Sequence, residues 1–131
     1  MNVSIQWQGD MRFEGASPNN QTVHMDGNAE AGTSPMTLLL HAQAGCAGID
    51  VVAILKKQRQ SLESLDMEVE AVRAGGDYPR VWEKIHLRFI IGGDVARDKA
   101  EKAVALSLEK YCSVSAMLKK TAEVTSEVIL K

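Results

Sequence analysis

Cysteine is scarce in this chain: Cys46 and Cys112 are the only two among 131 residues. That excludes a small secreted scaffold held together by disulfides. Excess positive charge is missing too. The net charge is −2 and the pI about 5.9, so the basic face that neutralises nucleic-acid phosphates is not expected. The opening residues MNVSIQWQGD have neither a cationic stretch nor an apolar run. They read as a strand rather than a signal peptide, which leads to the expectation of a cytoplasmic protein with reduced thiols. Nucleotide loops are missing: Gly75-Gly76 and Gly92-Gly93 lack the spacing of a phosphate-cradling loop. No GxSxG or HExxH motif occurs. His24, His41 and His86 are scattered, without the paired spacing of zinc ligands. No metal and no other cofactor is therefore expected.

What is present is ordinary globular material: 45% hydrophobic and 24% charged residues, enough to bury a core unaided. A single domain over residues 1–131 is expected. No repeat, low-complexity tract or long linker interrupts it. Val3, Ile5 and Trp7 alternate with Ser4, Gln6 and Gln8, as a half-buried strand requires. Gly9-Asp10 suggests a bend, Met11 to Gly15 a second strand, Ser17 to Asn20 a turn, and Thr22 to Asp26 a third strand.

Thr33 or Ser34, followed by Pro35, is suited to start a helix that runs to about Gln60. Residues 36 to 55 are apolar nearly all round, the pattern of a helix buried on most sides. The stretch is about one bilayer long. It carries His41, Gln43 and Asp50 and has no second such segment beside it, which favours a core helix covered by a sheet and by a second subunit. No membrane association is expected. Leu65 to Ala71 and Val81 to Ile91 alternate as a second hairpin, with Val81, Glu83, Ile85, Leu87, Phe89 and Ile91 on one mainly apolar face. Asp94 is suited to cap a helix reaching about Lys110. A break at Tyr111-Cys112-Ser113 precedes a short helix near 114–121, and residues 123–130 form a last strand. The fold class is α+β, a mainly antiparallel sheet around one long apolar central helix.

Cys46 lies inside the apolar helix, where a free cysteine commonly acts as a small hydrophobe. Cys112 lies where one helix ends and another begins. There the next helix's N–H groups and dipole favour a thiolate and a lowered pKa. The two are 66 positions apart and can meet only through the fold. His41, about 140° around the helix from Cys46, reads as a core histidine, and Asp50, one turn after Cys46, as a structural carboxylate.

The stretch SPMTLLLHAQAGCAGIDVVAILKKQRQ, followed by EKYCSVSAMLKK, resembles the OsmC/Ohr superfamily, and within it the YhfA-like branch of small OsmC-like proteins. The resemblance extends over essentially the whole chain, including MDG near position 26 and the EVTSEV terminal strand. It implies an intertwined homodimer with the central helices in its middle. It also implies thiol-dependent reduction of organic hydroperoxides, with Cys46 as peroxidatic and Cys112 as resolving cysteine. The reductant it implies is an external dithiol, a lipoylated protein in the Ohr branch. Two departures stand out. Met36 occupies the place of the family's glutamate, and the family's first-strand arginine corresponds to Arg12, with Asp10 fitting the spacing about as well. Glu109, just before Cys112, is a local charge able to substitute in part. The alternative function on the same fold is a non-catalytic dimer that binds a small hydrophobic ligand or senses redox state.

Overall fold

Strand alternation, one serine cap and a few glycines explain most of the architecture. The computed structural model describes all residues, Met1–Lys131. In chain order they form β1 (Ser4–Trp7), β2 (Arg12–Ala16), β3 (Thr22–Asp26), α1 (Pro35–Lys57), β4 (Ser61–Arg73), β5 (Trp82–Asp94), α2 (Arg97–Leu106), a π-helical turn (Ser107–Tyr111), α3 (Ser113–Leu118) and β6 (Glu123–Leu130). The chain divides into two compact units, Met1–His41 and Ala42–Lys131.

In the first unit β1, β2 and β3 form an antiparallel meander. The turn between β1 and β2 uses Gly9 at φ +98° and Asp10 at φ +49°. The meander ends on Asp26, which is buried at 3% exposure. Its carboxylate accepts the N–H groups of Asn28 at 2.8 Å and Ala31 at 2.9 Å. These bonds, that from Ala31 first, hold the carboxyl below the usual carboxylate range, with a smaller contribution from the Arg12 charge. A folded-state pKa below the unfolded one means stability that is present above the unfolded value, about 3.9, and lost as pH falls through the folded one. Asp26→Asn, which turns an amide N–H toward a backbone N–H, is expected to lower the urea midpoint at neutral pH. The gap to the wild type should close as pH falls below about 4. An equal gap at all pH values would rule this account out. Ser34 then caps α1, its hydroxyl oxygen accepting the Thr37 N–H at 3.3 Å ahead of Pro35.

The second unit has a three-stranded sheet of order β4-β5-β6. β4 and β5 pair antiparallel, whereas β5 and β6 pair parallel, because α2, the π turn and α3 return the chain to the same end of the sheet. One face carries Ile85, Leu87, Phe89 and Ile91, all at most 1% exposed. The other carries charge: Arg88 lies 3.1 Å from Glu70, and His86 lies 2.7 Å from Glu127. In α1, Ala47, Val51 and Leu55 are fully buried. Gly48 permits close approach of β4, since a Cβ there would sit 3.1 Å from the Met67 sulfur.

Several boundaries differ from the sequence reading. α1 stops at Lys57 rather than near Gln60, because Arg59 adopts φ +56° and turns the chain into β4. Trp82, not Val81, faces the core. A register shift between Val72 and Arg73 opposes Glu83 and reverses the alternation there. Asp94 caps nothing. It remains paired with Ser61 as the last residue of β5, and α2 starts after Ala96, whose N–H is taken by the Gln60 side chain at 3.0 Å. His41 is exposed rather than core. α1 is less enclosed than its composition suggests. Leu39, Ile49 and Val52 are 40%, 71% and 44% exposed, leaving an apolar side of the helix uncovered by the chain itself. Its mean hydropathy of 1.7 would by length and composition suffice to cross a membrane, yet the buried Ala47, Val51 and Leu55 make it a core helix of this fold.

Candidate active site

Cys46 is set on α1, on the turn between buried Gln43 and buried Ala47. Cys112 is positioned by an irregularity. The Cys112 N–H bonds to the Ser107 carbonyl at 2.7 Å, the i→i−5 closure of a π turn. The wider turn ends the helix and leaves Cys112 extended (φ −74°, ψ 101°) as the N-cap of α3. Ser107 ties this turn to α1: its buried hydroxyl lies 2.9 Å from Asp50 Oδ2 and 3.3 Å from the Ala47 carbonyl. From the C-cap of α3, the Lys119 ammonium donates to the Leu108 carbonyl. Asp50 is thus the structural carboxylate its place on the helix suggests.

The result is that the two cysteines meet. Both are free thiols, Cys46 half-buried and Cys112 buried. They lie close enough to act on one another, Cys46 pushing the Cys112 pKa up. The Cys112 sulfur accepts the Ser115 N–H at 3.3 Å. The helix N-terminus was expected to lower the Cys112 pKa, but the balance runs the other way. Burial pushes the thiol up; the Ser115 hydroxyl and N–H pull it down by less, and Cys46 pushes it up further. A 3%-exposed sulfur loses more from desolvation than two neutral donors return. Cys112 is therefore a protonated thiol at neutral pH.

Two residues that sequence reasoning passed over complete this environment. Gln43 and Ser115 are both 0% exposed, and the Gln43 amide nitrogen donates to the Ser115 hydroxyl oxygen at 3.1 Å. The Gln43 carbonyl oxygen is buried without a partner, which costs about 1–3 kcal/mol. The available signal was the placing of Gln43 three residues before Cys46 in an apolar helix and of Ser115 three residues after Cys112. Arg12 belongs to the first unit. It stands opposite Asp26 in the β2–β3 register, with its guanidinium 3.4 Å from the Gln8 carbonyl and 3.9 Å from the Asp10 carboxylate. Glu109 is exposed on the π turn. It lines an open groove of about 440 Å³ with Glu101, Lys119 and Glu127, a groove that neither cysteine lines.

Comparison with known proteins places this geometry in a family. Residues 26–127 match the family described as OsmC-like protein. Protein YhfA of Escherichia coli strain K12 is 39% identical over 127 residues, covering 95% of this chain and 94% of that protein. A hypothetical protein from Aquifex aeolicus VF5 superposes with a TM-score of 0.85 at 31% identity, over 99% of this chain and 96% of that one. The organic hydroperoxide resistance protein OhrB of Bacillus subtilis shares the fold at TM-score 0.64 and 19% identity, over 99% and 96% of the two chains. Matched along most of its length by sequence and along nearly all of it by fold, the chain belongs to the OsmC-like protein family.

Proposed function

We propose that this protein is a cytoplasmic, homodimeric thiol peroxidase that reduces organic hydroperoxides through Cys46 and Cys112. The observation that supports the reading is the proximity of the two free thiols, one half-buried and the other buried with its pKa raised. An attacking sulfur needs access, and a resolving sulfur needs proximity. The Cys46 thiolate attacks one peroxide oxygen. The S–O bond forms, the O–O bond breaks, and the departing alkoxide takes a proton to leave as alcohol. The Cys112 sulfur then attacks the Cys46 sulfenic acid. The S–S bond forms, the S–O bond breaks, and hydroxide leaves with the Cys112 proton as water. An external dithiol, a lipoylated protein by family resemblance, restores both thiols by exchange. Arg12 is assigned by the same resemblance to hold the thiolate and peroxide, and Glu109 to supply part of the missing glutamate's charge. The uncovered apolar side of α1, with Leu39, Ile49 and Val52, is assigned to the partner subunit.

The reading is tested by following cumene hydroperoxide consumption with dihydrolipoamide as reductant. Turnover by the wild type is expected. Cys112→Ser should stop after one equivalent of peroxide and leave a sulfenic acid on Cys46, captured by dimedone and located by mass spectrometry. Dimedone labelling of neither cysteine would count against the assignment.

A further inference from the structure

We propose that Gln43 and Ser115 are positioning residues for the resolving step: the Gln43 amide fixes the Ser115 hydroxyl so that it donates to the Cys112 sulfur. This rests on the reading of Cys112 as the resolving thiol, but the hydrogen-bond chain itself does not.

The geometry is directional. A serine hydroxyl has one hydrogen and two lone pairs. The Gln43 nitrogen, 3.1 Å away, can only donate, so it occupies a lone pair and leaves the hydroxyl hydrogen free. The Cys112 sulfur is within reach of the same residue: the Ser115 N–H points at it at 3.3 Å, and the Ser115 hydroxyl pulls the thiol's pKa down. Were the amide turned over, its carbonyl oxygen would take the hydroxyl hydrogen for itself. The oxygen instead remains buried and unpartnered, the orientation that keeps Ser115 directed at sulfur. Every member of the chain is out of solvent: Gln43 and Ser115 are 0% exposed and Cys112 is 3% exposed. In such surroundings a neutral donor has more influence on an adjacent charge than in water.

The need for it follows from the resolving reaction. The Cys112 proton must leave as its sulfur attacks the Cys46 sulfenic acid, so negative charge develops on a buried sulfur. Two donors from one residue, the Ser115 N–H and O–H, meet that charge, and Gln43 polarises the second. The proton itself leaves with the hydroxide as water; Ser115 keeps its own. Among ionisable side chains, the charge of Cys46 bears on Cys112. Asp50 is engaged by Ser107, and Lys119 is turned to the Leu108 carbonyl.

The experiment has two arms. In a Cys46→Ser background Cys112 is the sole thiol, and its ionisation is read by thiolate ultraviolet absorbance against pH, with the variant lacking both cysteines as blank. Ser115→Ala is expected to raise the Cys112 pKa by about one unit, a tenfold loss of thiolate at a given pH. Gln43→Met, of similar shape and without the amide, should raise it by less. Ser115→Thr should restore it. In the two-cysteine protein, Ser115→Ala should prolong the Cys46 sulfenic acid by about tenfold without slowing its formation. An unchanged Cys112 pKa in Ser115→Ala, or in Gln43→Met should the former not fold, overturns the proposal. If the wild type forms no sulfenic acid, the peroxidase reading fails while the titration still decides the role of Gln43 and Ser115.

Discussion

Cys46→Ser is expected to reduce dithiol-dependent hydroperoxide consumption to the rate of the dithiol alone, a loss on the order of a thousandfold or more, about 4 kcal/mol in barrier. The size of the effect follows from the division of labour between the thiols. Cys112 is 3% exposed and burial keeps it protonated, so it cannot take over attack on a peroxide from solvent. A serine hydroxyl at 46 occupies the same space but does not ionise near neutral pH and is a weak nucleophile for oxygen. Cys112→Ser differs in kind. It leaves the first step intact and removes the second, so the burst survives and the steady state does not. The two variants therefore separate attack from resolution. Equal steady-state turnover by the wild type and Cys46→Ser would eliminate the two-thiol mechanism altogether.

Much of this arrangement can be read from the chain because it depends on local rules. The alternation places Leu65, Met67, Val69 and Ala71 on one face of β4, and Ser34-Pro35 starts α1 with the bonds expected of a cap. Cys112 falls at a helix junction because the periodicity fails at Tyr111 to Ser113. What stays hidden is set by tertiary contact. The π turn is tied to α1 by a buried Ser107 hydroxyl that meets Asp50, 57 residues away, and no local pattern marks that meeting. The Gln43–Ser115 bond joins residues 72 apart. In sequence Gln43 is only a polar residue in an apolar helix. The lowered Cys112 pKa expected from the helix N-terminus fails for the same reason: the dipole is a local property and desolvation is not. Likewise the MDG near position 26 reads as a family mark. Its physical role, a carboxylate gathering the N–H groups of Asn28 and Ala31, appears only when the turn is folded.

The Gly92-Gly93 pair, set aside in the sequence as lacking phosphate-loop spacing, carries the largest expected effect on stability. Gly93 adopts φ +113°, a conformation that costs an L side chain about 1–3 kcal/mol. It also pairs with Leu62 where the β4–β5 register slips between Leu62 and Ser64. A Cβ on Gly93 would fall on the Ser61 carbonyl oxygen and 2.7 Å from the Glu63 nitrogen, both backbone atoms of β4. Relief requires the end of β4 to move, and overpacking of that kind adds about 1–3 kcal/mol. Gly93→Ala should therefore lose about 2–6 kcal/mol by both routes together, a large part of the about 5–15 kcal/mol available to a domain of this kind. Gly75→Ala is the control. A Cβ there meets nothing within 4 Å, and the change should stay within about 0.5 kcal/mol. Thermal melting of the two variants beside the wild type decides the matter, since similar midpoints for Gly93→Ala and Gly75→Ala would show that the bulge yields without cost. The consequence reaches the cysteines. β5 passes through Gly93 and Asp94 into buried Val95 and then α2, the path that leads to the π turn and Cys112. A displaced strand end should therefore slow the joining of Cys112 to Cys46 even at temperatures where the variant remains folded.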